Sequence, residues 1–117
     1  MNYYFEEEKD WGNIEYKKVF VNMDMIKIKK YATQLKFRII EGGGLAMYII
    51  GVEDNGNAIG ILKSDIPRHN FIMNEMINEI DAEITSYKII NISNSQSIII
   101  YLIKNKFNID SIAFLNG

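Results

Sequence analysis

The sequence predicts an α+β fold: a two-layer sandwich of order βαββαββ, with a mostly antiparallel sheet and two helices on one face. Three observations lead there. Two stretches, Met25–Glu41 and one starting at Ser64 or Asp65, repeat apolar residues at helical spacing. Five shorter stretches are apolar and rich in β-branched and aromatic residues. Two connections, Asn55-Gly56 and Ser93-Asn94-Ser95, have hairpin chemistry. The 117 residues are the length of one domain. Residues 1–11 precede any periodic pattern, so a tail is expected there and a single domain over 12–117.

In the tail, Tyr3, Tyr4, Phe5 and Trp11 flank Glu6, Glu7, Glu8 and Asp10. Aromatics in a charged tail point either to packing back on the domain or to docking on a partner. Residues 14–21 read as a strand with two mixed faces, the pattern of a sheet edge. Asn22 or Asp24 can cap the helix that follows. Ile28, Tyr31, Ala32, Leu35 and Ile39 form its apolar stripe. Gly42, Gly43 and Gly44 end it, and any of them can take a left-handed C-cap.

Residues 45–53 are the next strand, and Asn55-Gly56 turns it into an antiparallel return over 58–62. Structural roles suit Gly51 and Gly56. Pro67 fits the first turn of the second helix. Met73, Met76, Ile77, Ile80 and Ile84 make its buried stripe, with Glu75, Asn78, Glu79 and Glu83 opposite. Residues 87–92 and 97–104 form a second hairpin. The unbroken apolar run 98–103 belongs in the middle of the sheet, because exposed it would be an aggregation hazard. Phe107, Ile109, Ile112, Phe114 and Leu115 are expected to close the core.

Composition removes several chemistries. Cysteine is absent, which excludes disulfides, thiol catalysis and cysteine-ligated metals. His69 is the one histidine, and a helix-cap or solvent-exposed role is expected for it. Glu53 and Asp54 sit side by side at a turn, where a solvated carboxylate makes a poor general acid. Gly42 to Gly44 end a helix, so the dipole there has the wrong sign for cradling phosphate. No GxxxxGK[ST] stretch occurs. No catalytic group, metal, cofactor or nucleotide is therefore expected. No apolar run reaches the length of a membrane span, and the acidic, aromatic N-terminus is the opposite of a signal peptide. A cytoplasmic protein is expected.

The charge is unevenly spread. Residues 17–38 hold seven basic side chains and one acid, Asp24, so this window carries +6 in a chain of net charge −2. At helical spacing Lys27, Lys30, Gln34 and Arg38 form an outward line, with Lys29 and Lys36 beside it and Lys17 and Lys18 extending the patch. No acid lies within this helix until Glu41. A helix built only for solubility mixes signs, whereas one-sided charge suits phosphate contacts. No aromatic pattern of the single-strand RNA-binding type is present, so recognition by shape and backbone is expected.

A resemblance rests on particular residues. GNIEYK starts at Gly12, and TQLKFRIIEGGGLAMYIIGVEDNG runs over 33–56. This is similar to the N-terminal extension of the eukaryotic elongation-factor-like GTP-binding proteins. There a strand with an EYK core leads to a helix ending in R-x-x-E-G-x-G, and a strand Y-x-I-G-V-E-D-x-G follows. The residues that match are Glu15, Tyr16 and Lys17, then Gln34, Arg38, Glu41, Gly42 and Gly44, then Ala46, Tyr48 and the run from Ile50 to Asp54 with Gly56. Gly43 and Leu45 depart from the pattern, which has charged residues there. The chain ends before any GTPase domain, so nucleotide hydrolysis is not expected. As a stand-alone unit it resembles the microsporidian dormancy factors of idle ribosomes. That resemblance implies occupancy of the tRNA exit site and repression of translation without catalysis.

The expected contacts with RNA are Lys17, Lys18, Lys27, Lys29, Lys30, Gln34, Lys36 and Arg38. Glu15, Glu53, Asp54 and Asn55 are candidates for meeting RNA or a ribosomal protein. The partner is the ribosome, and the free chain is expected to be monomeric. The competing reading is a non-ribosomal adaptor that binds a protein through its acidic helix and aromatic tail.

Overall fold

The computed structural model describes residues 4–106. Its elements are β1 (Ile14–Lys17), α1 (Met25–Glu41), β2 (Leu45–Ile50), β3 (Ile61–Leu62), a 3-10 turn (Lys63–Asp65), α2 (Ile66–Glu79), β4 (Ala82–Asn91) and β5 (Gln96–Asn105). The order βαββαββ holds, and both helices pack on one face of a five-stranded sheet.

β5 is the spine of that sheet. It pairs antiparallel with β4 on one side and with both β2 and β3 on the other. This explains the apolar run 98–103. Ile99, Tyr101 and Ile103 face the helices, and Ile98 is buried on the other side. β1 lies outside β2, at the edge, and runs parallel to it, so the sheet is mixed. The cause is α1, a crossover helix between them, since parallel neighbours need such a connection. The helix-side core joins Leu35 and Ile39 of α1, Met73 and Met76 of α2, Tyr48, Tyr101 and the loop residue Phe20.

α1 keeps its expected bounds. The Asp24 carboxylate accepts from the Lys27 amide at 2.8 Å, a side-chain N-cap. The amide of Gly42 then donates to the Arg38 carbonyl at 3.0 Å, and Gly43 takes the left-handed conformation. Ile28, Ala32, Leu35 and Ile39 are buried as expected.

Four expectations need correction. First, the antiparallel return is confined to a single bridge, Val52 with Ala58, just beyond the end of β2. β3 pairs with β5 in line with β2, and residues 51–60 leave the sheet as a loop. The Gly51 carbonyl accepts from the amides of Ile59 and Gly60 at 3.0 and 2.8 Å, which closes the loop at its base. Gly51 has φ +96°, and a Cβ there would stand 3.0 Å from both Gly60 Cα and Ile98 Cγ2. Only glycine fits. Asn55-Gly56 still makes the turn at the loop's tip, with the Gly56 amide 2.8 Å from the Glu53 carbonyl.

Second, α2 stops at Glu79, and Ile84 and Glu83 lie on β4. Asp81 takes φ +55°, which Asp tolerates better than most residues. β4 and β5 are ten residues each, longer than the hairpin expected. Third, β1 is only four residues, and Phe20 leaves the strand to fill the core. Fourth, His69 is neither a cap nor exposed. It is fully buried, stacked on Phe20 at 5.4 Å.

Residues 4–8 fold back over the sheet face that the helices leave open. The Phe5 amide donates to the Gly56 carbonyl at 2.8 Å and the Glu8 amide to the Asp54 carbonyl at 2.7 Å. The Tyr16 hydroxyl donates to the Glu6 carbonyl at 2.7 Å, and Phe5 meets Tyr16 edge-on. A Cβ on Gly56 would stand 2.0 Å from the Phe5 carbonyl oxygen, so this glycine admits the crossing segment. Tyr4 and Trp11 stay exposed. The residues expected to close the core, Phe107, Ile109, Ile112, Phe114 and Leu115, lie outside the described residues.

Candidate nucleic-acid interface

The basic candidates divide into an exposed set and an inward set. Lys29 and Lys30 project from the middle of α1 and are exposed, as is Lys18 after β1. Lys18 faces Glu53, Asp54 and Asn55 across an open groove. Lys27 is half-buried and donates from Nζ to the Val21 carbonyl at 3.2 Å. Lys36 is half-buried too. Lys17 is also half-buried, with its ammonium 4.2 Å from the Tyr31 ring centroid and 4.0 Å from Glu15 Oε1. That is a cation–π contact combined with an ion pair.

Arg38 and Gln34 do not continue the outward line. Arg38 is buried, and its guanidinium makes three hydrogen bonds to local partners. Nη2 donates to Glu15 Oε2 at 3.1 Å and to the Lys9 carbonyl at 2.8 Å, and Nη1 donates to the Gly12 carbonyl at 3.1 Å. Gln34 is half-buried, and its Oε1 is buried without a partner among the described residues. The reason is helical geometry. Positions 34 and 38 flank the buried positions 35 and 39, and α1 lies against β1 there. The centre of the exposed face is instead Ile26, Lys30, Thr33 and Phe37, with Lys29 beside it. Ile26 and Phe37 are the residues the charge reading passed over. A helical wheel centred opposite Leu35 finds both.

The carboxylates around α1 are committed as well. Glu15, buried on β1, supplies a carboxylate to Arg38 and Lys17, so it is not free to meet a base edge or a ribosomal protein. Glu41 accepts from the Gly12 amide. Glu8 Oε2 accepts from the Tyr16 amide at 2.5 Å. Burial first, and then the neighbouring Glu15, push the Glu8 carboxyl up to about 7, against the pull of the Tyr16 amide. The three other candidates cluster on the 51–60 loop. Glu53 is half-buried and accepts from Asn57 Nδ2 at 3.1 Å. Asn55 Oδ1 accepts from the Asn57 amide at 2.9 Å, an Asx turn. Asp54 and Asn55 are exposed.

His69 is engaged at both nitrogens. Nε2 accepts from the Phe20 amide at 3.1 Å, so Nδ1 carries the proton and donates to the Asp65 carbonyl at 2.9 Å. Burial lowers its pKa, with Arg68 adding to the effect. The ring is a neutral bridge between α2 and the loop before α1. Among the described residues no group of three or more His, Asp or Glu side chains is placed to hold a metal ion. No described helix is long and apolar enough to cross a membrane.

No protein-family model matches the chain. It is 38% identical over 82 residues to GTP-binding protein 2 of both Mus musculus and Homo sapiens. That similarity covers 70% of this chain and 14% of the relative, so the chain spans a small part of those proteins. It is also 36% identical over 95 residues to an uncharacterised protein, R625, of Acanthamoeba polyphaga mimivirus. There it covers 80% of this chain and 51% of the relative. The partial match to GTP-binding protein 2 agrees with the resemblance carried by the EYK strand and the GVEDNG loop.

Proposed function

We propose that this chain is a non-catalytic, cytoplasmic RNA-binding domain that associates with ribosomes as a monomer. On this reading it occupies the tRNA exit site, keeps tRNA out and holds the particle idle. The single observation behind it is the exposed cationic middle of α1, Lys29 and Lys30, with Lys18 and the less exposed Lys27 and Lys36 around it. A few exposed cations on a rigid helix fit phosphates at fixed spacing. The similarity to GTP-binding protein 2 and the residue-level resemblance to the N-terminal extension of its class support the choice of the ribosome. Arg38, Glu15 and Lys17 are reassigned to holding α1 against β1, and Gln34 leaves the RNA-facing set.

The test is sedimentation of ribosomes with the chain across a salt series. Co-sedimentation with monosomes at low salt, lost steeply as salt rises, is expected from counterion release. A second reading is favoured by Ile26 and Phe37, exposed on the same helix face. These suit a protein-binding adaptor, although Phe5 of the aromatic tail is packed on the domain. Binding that survives high salt, with no ribosome in the complex, would replace the RNA reading with this one.

A further inference from the structure

Beside α2, β4 helps frame a small groove lined by Asn70, Asn74, Ile84, Tyr87 and Tyr101. Tyr87 stacks on Tyr101 with ring centroids 5.8 Å apart and 25° between planes. Tyr101 is buried, whereas Tyr87 is 49% exposed and offers ring surface to the groove. The backbone is bent to bring Tyr87 there. Ile84 pairs with Ile103 and Tyr87 with Tyr101, so three steps on β4 match two on β5. An unbulged strand would place Ser86 over Tyr101. Bulges that re-aim a side chain in this way are enriched at sites.

The polar groups are set for recognition. The Tyr101 hydroxyl donates to Asn70 Oδ1 at 2.5 Å. Burial raises the Tyr101 pKa, so the hydroxyl stays protonated and remains the donor. This fixes the Asn70 amide with its oxygen occupied and its Nδ2 hydrogens left to donate. Asn74, one turn further along α2, is exposed and has no protein partner among the described residues. Its amide offers a donor and an acceptor side by side.

We propose that this groove binds one unpaired purine base, adenine, of single-stranded RNA. The base stacks on Tyr87, a contact that tolerates any base but gains with ring area. Its amino group and adjacent ring nitrogen pair with the Asn74 amide, the pairing that asparagine makes with adenine. Asn70 Nδ2 donates to a remaining ring nitrogen. The groove has no cation in its lining, so it reads the base and leaves phosphates to α1. This site deepens the RNA-binding reading and rests on it.

The experiment measures binding of the full chain to fluorescent octa-adenylate and octa-uridylate RNA by anisotropy. The unaltered chain is expected to favour adenylate. Tyr87→Ala is expected to weaken adenylate binding about tenfold and to erase the preference, while Tyr87→Phe keeps it. Asn74→Ala, at an exposed position that leaves the fold alone, is expected to lower the adenylate-to-uridylate ratio. Lys29→Glu with Lys30→Glu should weaken both RNAs together and keep their ratio. A Tyr87→Ala or Asn74→Ala chain with the original ratio overturns the proposal, and so does an unaltered chain without preference or without binding. Loss of ribosome binding in the lysine variant, with the groove variants unchanged on both RNAs, would remove the base site and leave the ribosome reading standing.

Discussion

The middle and the C-terminal end of α1 carry the same kind of residue to opposite ends. Lys29 and Lys30 stand in solvent, whereas Arg38, only two turns away, is closed in by Glu15 and two backbone carbonyls. A basic window in sequence therefore holds two populations. One is available to a partner. The other neutralises Glu15 on the neighbouring strand and ties the chain before β1 to the helix. Net charge over a window cannot separate them, because the acid that pairs with Arg38 is 23 residues away. The inward set should govern stability and the outward set binding.

The largest expected effect on stability is from Arg38→Ala. It leaves the buried Glu15 carboxylate without its main partner, which costs about 3 kcal/mol. Urea unfolding should show it, and a loss below about 1 kcal/mol would move Arg38 to the outward set. His69→Ala comes next. It strands the Phe20 amide and the Asp65 carbonyl and opens a cavity, for a loss of about 2–3 kcal/mol. Tyr16→Phe removes only the hydroxyl's bond to Glu6. About 1 kcal/mol is expected, together with faster amide exchange at Phe5 and Glu8 if that bond holds the tail down. Lys29→Glu with Lys30→Glu should change stability by less than about 0.5 kcal/mol. A larger loss would mean that the two lysines pack against the domain after all.

Two titrating groups, the buried His69 and the half-buried Glu8, set a pH window with opposite slopes. The pKa of His69 is lowered on folding, so its contribution is present above the unfolded value of 6.5 and is lost as pH falls through the lower folded value. That of Glu8 is raised from 4.5 to about 7, so its contribution is complete below 4.5 and is lost as pH rises through about 7. The tail should therefore loosen above neutrality while the core weakens in acid. Hydrogen exchange at Phe5 and Glu8 across pH 6 to 8, corrected for intrinsic rates, reads the first. Thermal melts below pH 6.5 read the second. A tail whose protection does not change through pH 7 would contradict the placement of Glu8 beside Glu15.

Local signals in the sequence were reliable where the chain settles its own geometry. Asp24 as cap and the three glycines as stop determine α1 without help from other elements. The apolar run of β5 announced a central strand because no other position buries both its faces. Distant pairing was hidden. Asn55-Gly56 signals a turn, and a turn is there, but Ile61 and Leu62 pair with Gln96 and Ser97, which only the assembled sheet decides. Ile80 and Ile84 continue the helical spacing, so nothing local marks the reversal at Asp81. The candidate site was half legible. The exposed lysines follow from spacing, whereas the withdrawal of Arg38 and Gln34 depends on where β1 lies. The burial of His69 was not legible, because a neutral imidazole with two backbone partners leaves no trace in its sequence neighbours.

The most direct measurement is ribosome co-sedimentation of three chains at low salt: the unaltered domain, Lys29→Glu with Lys30→Glu, and Tyr16→Phe. The lysine variant should be folded and absent from the monosome fractions, while the other two sediment with them. A folded lysine variant that stays on monosomes as well as the unaltered chain would contradict the claim that the exposed cations of α1 make the RNA contact.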